Sequence, residues 1–493
     1  VLGACIAENY RGHYVWRKYR EELEAKGESF TLIAYAPKPV APEQNFAATP
    51  LFESFFDYTS DRTDHEHPTR WKDKATYDRN QARAAGLGVL GSNRRKAPDM
   101  GYWQIGVFAD LRPWQEYFTG NTNFPLAAAP TDPATDVLLA LRRYDGVLDE
   151  LHVASARPYS VFPVHYAEGY RALLPHLVTF KHVAEVSCLR ALAHLQAGHF
   201  TEAFRDTQFG LRLAEALKSE PILISQFVRI RLVEMGLQPV WEGLARQCWT
   251  KEQISELQTA LTRMDILGDY SRTMRTERVS AIEIVELQRT GQYKPPVRPG
   301  DDGEEQAQDF SKIRFLPGGV FCQNQFTIAW RYQESIIPLV DAVQHRVHVS
   351  KAKRVGNIRE GTRYHPYSFF ANLLMSQVGG IAPHFARGQA AIDLASVACG
   401  LEQHRLATGH YPDSLEALGP RFLQNIPPDL ITGDLLHYRV TSGSGFVLYS
   451  VGWNERDDNG ETARAGRIQR FDLITGDWVW HYAVTNTLTE RKP

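Results

Sequence analysis

Apolar residues recur at helical spacing over most of this 493-residue chain, and the period shortens only near its C-terminal end. Val15, Tyr19 and Leu23 lie four apart and Gly27 follows, which predicts a helix over 8–26. Asp132 and Pro133 form an N-cap and first-turn pair ahead of a stripe of Val137, Leu141, Tyr144, Leu148 and Leu151. Residues 170–288 read as nearly unbroken helix, with a hairpin of 183–196 and 201–217 turning about Gly198 and Phe200. Pro221 opens the next helix, Pro239 is expected to kink it, and Thr250 with Gln253 makes a capping box. Residues 315–340 return to apolar helix. Ile392, Leu394, Ala395, Ala398, Leu401 and Leu406 then give 391–407 a broad apolar face, which Gly409 and Pro412 end. Ser414 can cap a short helix over 415–418. Beyond it, 437–440, 445–451, 468–471 and 478–482 are rich in aromatic and β-branched residues and read as strands. Thr432-Gly433-Asp434 and Thr475-Gly476-Asp477 are one turn used twice, each before a strand. The fold class is α+β, mainly α.

Residues 30–131 break the pattern. Pro37, Pro39 and Pro42 impose extended backbone, and Trp and Phe are scattered among Gly, Asn and Asp. An irregular arm of this length, with short helices near 50–58 and 114–118, suggests an interaction surface with aromatic anchors. The divisions that follow are an anchor-proximal helix (1–29), the arm (30–131) and a helical domain (132–290). A polar, acidic linker (291–314), a helical region packing back on the scaffold (315–388) and an α+β unit (389–484) complete the chain.

The C-terminal fifth resembles the globular domain of the type II secretion major pseudopilin. The resemblance rests on Gln403-His404-Arg405-Leu406, the corner at Thr408 to Pro412, Pro428-Asp429, Gly433, Tyr438, the run from Phe446 to Gly452 and an acidic loop over 454–460. It departs from that family in having some 390 residues ahead of it, so the fold carries over and assembly into a fibre does not. The hairpin with Gly198, Phe200 and Ala203 resembles one degenerate tetratricopeptide repeat. The chain as a whole is similar to large envelope proteins of the Verrucomicrobia and Planctomycetes kind.

In the pseudopilin family the acidic loop binds calcium, which makes Asn454, Asp457, Asp458 and Asn459 the candidate ligands here. Several oxygen ligands within seven residues suit a hard cation, but the spacing is not that of an EF-hand; a solvated loop is the alternative. Calcium is the one cofactor implied. Asp64, His65, Glu66 and His67 alternate in a Pro-flanked polar loop and read as exposed, and His345 with His348 reads as a surface pair. Gly86, Gly88 and Gly91 match the dinucleotide fingerprint in letters, yet a charged helical stretch precedes them where a strand is required. No nucleophile elbow, HExxH or P-loop occurs. Glu277, Glu283 and Glu286 with Arg275, Arg278 and Arg289 read as ion pairs along one helix, and His165, His176 and His182 as core side chains.

A net charge of −2 gives no electrostatic case for nucleic acid. The five cysteines are scattered, with no metal spacing. The opening Val-Leu-Gly-Ala-Cys reads as the end of a signal anchor, or as a lipobox with Cys5 lipidated, and the anchor is preferred. Both put the chain on the extracytoplasmic side of the inner membrane. The leading expectation is a non-catalytic, membrane-anchored envelope scaffold that binds other envelope or membrane proteins. The alternatives are a hydrolase with its site between the helical and C-terminal units, and a calcium-stabilised secretion or pilus component.

Overall fold

The computed structural model describes residues 2–60, 69–86, 98–121, 123–293, 316–357, 366–376, 378–441, 445–465 and 470–482. The motif at 64–67, Gly88 and Gly91, and most of the linker lie outside them.

α1 (Leu2–Ala25) ends as its sequence dictates, with Gly27 in left-handed backbone at φ 87°. The arm holds α2 (Pro50–Glu53), the paired strands β1 (Tyr58–Ser60) and β2 (Thr69–Trp71), α3 (Lys74–Gly86) and α4 (Arg112–Thr119). Its rings do not face outward: Phe46, Phe52, Phe55, Trp103, Trp114 and Phe118 are each at most 1% exposed. They pack on the chain's own helices, Phe52 against Phe180 at 5.1 Å between ring centres. The irregular backbone is satisfied one group at a time. The Asn45 amide both donates to the Val161 carbonyl (2.9 Å) and accepts from the Val161 N–H (2.8 Å), standing in for a ladder.

The helical body comprises α5 (Pro133–Leu141), α6 (Asp145–Ser155), α7 (His176–Gln196), α8 (Phe200–Ala216), α9 (Leu223–Ala245), α10 (Lys251–Thr262) and α11 (Ile266–Thr290). The expected caps form: Asp132 accepts from Thr135 N–H, and Thr250 with Gln253 completes a reciprocal capping box. α7 and α8 make the hairpin, with Gly198 at φ 77° in the turn, and α9 packs on both. Two buried arginines of this body are matched by acids from other elements. Arg229 of α9 meets Asp269 of α11 (2.6 Å) and Glu215 of α8 (2.7 Å), and Arg190 of α7 meets Asp206 of α8 (2.6 Å).

α12 (Gly318–Arg331) runs into a π-helical turn, Tyr332–Ile336. The hairpin β3 (Val340–Asp341) and β4 (Arg346–Val347), α13 (Val349–Asn357) and α14 (Phe369–Leu374) follow. α15 (Ile381–Thr408) begins ten residues before the expected helix, so the division at 388/389 falls inside one continuous helix. Pro383 and Gly388 interrupt the sequence pattern without interrupting the helix. Pro383 occupies the first turn, where no N–H is needed. Gly388 sits at a close crossing, where a Cβ would lie 3.2 Å from Ile230.

The C-terminal unit has β5 (His437–Thr441), β6 (Gly445–Ser450), β7 (Thr462–Ala465), β8 (Arg470–Gly476) and β9 (Trp478–Tyr482). β6 is central, antiparallel to β5 and β9, and β7 pairs with β8. Leu448 of β6 opposes both Tyr438 and Trp480, and α15 packs against β6, β8 and β9. The described residues are 62% helix and 9% strand, an α+β fold that is mainly α. One continuous apolar core runs from Leu32 to Trp480. Arg387 of α15 is buried inside it, its guanidinium 4.8 Å from the rings of Trp103 and Phe471 and 5.8 Å from Trp478. No acceptor among the described residues bonds its nitrogens. Burial lowers its pKa to about 10, so it stays charged at neutral pH and the ring faces supply its compensation. Among the described residues no helix is long and apolar enough to cross a membrane.

Candidate functional site

A cavity of about 410 Å3 opens where α9, α11, α14, α15 and the π-helical turn meet. Leu223 and Phe227 of α9, Ile284 of α11, Leu374 of α14 and Ile381 of α15 form apolar walls. Four polar side chains reach it: Glu277, Ser280, Tyr332 and His384. Residues 277, 280, 281 and 284 share one face of α11 by helical spacing, so the carboxyl and its apolar surround come from a single stripe.

The Glu277 carboxyl accepts the backbone N–H of Leu223, at the first turn of α9. The positive end of that helix favours the ionised form. Loss of water around the group outweighs it and pushes the pKa up to about 7. The side chain keeps part of its surface, which the cavity exposes. Tyr332 is buried beside it, and its phenol is pushed well above the usual range by burial and then by the Glu277 charge. The His384 ring meets Phe227 edge-on at 5.4 Å. Burial lowers its pKa, against a smaller opposing pull from Glu234, so it is chiefly neutral. Tyr332 opens the π-helical turn, an irregularity that recurs at functional sites. A carboxyl that titrates near neutrality, a neutral imidazole and a phenol together can bind, orient and exchange protons with a ligand. No Lys or Arg lines the cavity among the described residues.

The charge pattern suggested that arginines neutralise all three glutamates of α11, and the structure corrects this. Arg275 and Arg278 both turn away to Glu28 (2.9 and 2.7 Å). Glu283 accepts from the Tyr170 N–H (3.0 Å), and Glu286 pairs with Arg289 within the helix, at 2.5 Å. Glu277 is left to the cavity. Arg275 and Arg278 stand two and one residues from it, not the three or four at which helix side chains meet, and Glu28, some 250 residues away, takes both.

Asn454, Asp457, Asp458 and Asn459 lie together in the loop between β6 and β7. Asn454 donates to Asp458 (2.7 Å), while Asp457 accepts from the Asn459 N–H (2.8 Å) and the Tyr449 hydroxyl (3.0 Å). Asp477 closes the loop from beneath. It is fully buried and accepts from the N–H groups of Gly460 (2.7 Å) and Asp458 (3.2 Å). Burial raises its pKa, and the charges of Asp458 and Asp457 add to this. Among the described residues no group of three His, Cys, Asp or Glu side chains is placed to hold a metal ion.

The other candidates are structural. His345 sits in the β3–β4 turn, bonded to Asp393 at 2.7 Å, and does not share a helix turn with His348. His176 bonds Glu220 at 2.7 Å in the core. The Cys322 thiol lies 3.3 Å from His13 Nδ1, a pairing that sequence reading missed, but burial raises its pKa to about 11 and it is a poor nucleophile.

α1 has two faces. One packs on α12, where Gly12 and Gly319 bring the backbones together and Asn9 accepts the Gly319 N–H (2.9 Å). The other presents Ile6, Tyr10 and Tyr14, four apart and 64%, 75% and 47% exposed. No family model, no curated protein and no solved structure matches this chain.

Proposed function

We propose that this chain is a non-catalytic, protein-binding subunit of the bacterial envelope, anchored beside the inner membrane and engaging its partners through α1. The outer stripe of Ile6, Tyr10 and Tyr14 carries the reading. Large apolar side chains at helical spacing, on the side of α1 opposite its packed face, are the pattern of a helix that docks into another protein. The helical hairpin of α7 and α8 supports a repeat-like scaffold. The order of long helix, corner and antiparallel sheet from α15 onward supports a pseudopilin-like C-terminal unit. The test is gentle detergent extraction of the tagged full-length protein from its native membrane. A partner recovered in stoichiometric amount with wild type, and lost with Tyr10→Glu combined with Tyr14→Glu, is the expected result. A partner that stays with the double variant, or a lone monomer from wild type, overturns it.

A second reading, an extracytoplasmic hydrolase, is favoured by one observation. The cavity between the helical body and α15 brings a glutamate and a histidine to the same apolar wall. It requires a turnover that Glu277→Gln abolishes while the fold is retained.

A further inference from the structure

The cavity at Glu277 is unbalanced in charge, and this limits what can fill it. Its lining supplies one carboxyl and, among the described residues, no Lys or Arg. The nearest guanidinium in sequence, Arg278, is engaged by Glu28 at 2.7 Å and by Gln333 at 3.1 Å. Leu223 N–H satisfies one acceptor position of Glu277. A carboxylate offers about four, so acceptor capacity is left for a ligand. The remaining walls are mostly aliphatic, with Phe227 and Tyr332 adding aromatic rings and Ser280 and His384 adding neutral polar groups. An anionic ligand would meet a like charge in a low-dielectric site, and a neutral ligand bonded to Ser280, Tyr332 or His384 would leave the Glu277 charge uncompensated.

We propose that this cavity is a binding site for a small organic cation, an ammonium head on a compact apolar body, with Glu277 as its counter-ion. The ammonium completes the hydrogen bonding of Glu277, the aromatic rings suit a cation, and the aliphatic walls take the body. The volume, about 410 Å3, lies within the usual range of small-molecule sites. The assignment does not depend on how α1 meets a partner.

Ionisation of Glu277 is linked to occupancy, because the cation binds the charged form. The groups facing Glu277 are Tyr332 from the π-helical turn and His384 from α15, both chiefly neutral near pH 7. Arg278 on its own helix is held by Glu28. α9 and α14 present no titratable side chain among the described lining residues. Affinity therefore falls as pH drops below about 7, where Glu277 takes up its proton.

Three probes of similar shape separate the ligand classes: 2-phenylethylamine, 2-phenylethanol and 3-phenylpropanoate. Each is titrated into the full chain by calorimetry and ligand-observed NMR, up to about 1 mM, the weak end of the affinity scale. At pH 8 the amine is expected to bind at least roughly tenfold more tightly than the alcohol or the acid, and to weaken roughly tenfold at pH 6. Glu277→Gln should remove that preference for the amine, and Ala281→Leu, which fills the cavity, should weaken it by occlusion with the carboxyl intact. Equal binding of amine and acid, amine binding unchanged in both variants, or no amine binding at the highest concentration overturns the assignment.

Discussion

Glu277 and Arg387 are both charged groups held away from water, and the structure compensates them differently. Arg387 keeps its charge because burial lowers its pKa only to about 10, and three aromatic rings face it in place of an acceptor. Glu277 has one N–H and a cavity, and burial holds its proton to about pH 7. The stability consequence has a definite sign. Between the ordinary glutamate value near 4.5 and the folded value near 7, the folded chain binds a proton that the unfolded chain has released. Stability then falls as pH rises through that window, and the benefit is complete only below it. Glu277→Gln removes the titration while keeping the shape and an acceptor for Leu223 N–H. The variant is expected to be more stable than wild type at pH 8, by on the order of 2–3 kcal/mol, the smaller figure allowing for cavity water. At pH 4.5 the difference should nearly vanish. Urea midpoints of both proteins at the two pH values check this, and equal midpoints at pH 8 would refute it. Helical spacing offers Glu277 no arginine, since positions 273, 274, 280 and 281 are Thr, Met, Ser and Ala, but the cavity around it is built by four other elements and no local pattern shows it. The core role expected of His176 was readable, since an imidazole flanked by Leu and Phe at helical spacing has no water to face.

Caps, turns and strand composition were legible because they are local chemistry. Asp132, Thr250 and Gly409 act where their sequence contexts place them, Gly409 at φ 86°. The strand stretches at 437–440, 445–451 and 478–482 pair in one sheet. What resisted was packing between elements. The glycine at position 12 of α1 looks like a weak point in a helix, and in the fold it is the crossing with α12. A Cβ on Gly12 would stand 2.2 Å from the Gly319 carbonyl oxygen, with backbone on both sides and nothing able to yield cheaply. Gly12→Ala should therefore destabilise the protein by about 1–3 kcal/mol, as overpacking does, despite the better helix propensity of alanine. Gly3 in the same helix has nothing within 4 Å of its Cβ position, and Gly3→Ala should stay within about 0.5 kcal/mol of wild type. Thermal unfolding of the pair measures the contrast directly, and equal effects would mean that α1 is not seated on α12 in solution. The same crossing fixes which face of α1 turns outward, so a change here also alters how Ile6, Tyr10 and Tyr14 are presented.

At the scale of the whole molecule, length and composition argue for several domains, and the packing argues for one body. The arm, the helices and the C-terminal sheet share a core that runs from Leu32 to Trp480. The pieces are also pinned at single residues. Trp241 of α9 donates to the His481 carbonyl of β9, and Trp103 of the arm meets Trp480 at 5.3 Å. Arg387 touches the arm, the sheet and its own helix at once. α15 crosses the division drawn from sequence and packs against α9, α10 and α11 as well as β6, β8 and β9. A chain of this size with separable domains unfolds in steps, whereas a shared core couples them. Helical circular dichroism and the near-ultraviolet signal of the tryptophans are therefore expected to report one coincident transition. Arg387→Ala takes away the group that three elements pack around and leaves a cavity, which costs about 2–4 kcal/mol by analogy with large-to-small changes in cores. It should lower both signals together. If the tryptophan signal fell first and the helical signal kept its wild-type midpoint, the C-terminal unit would be an independent domain resting on the helices. The cavity at Glu277, walled on one side by α15, would then be open to rearrangement and a poor place for a specific ligand. Coincident transitions would mean that the cavity walls are held by the stability of the entire chain, which is the rigidity a small-molecule site needs.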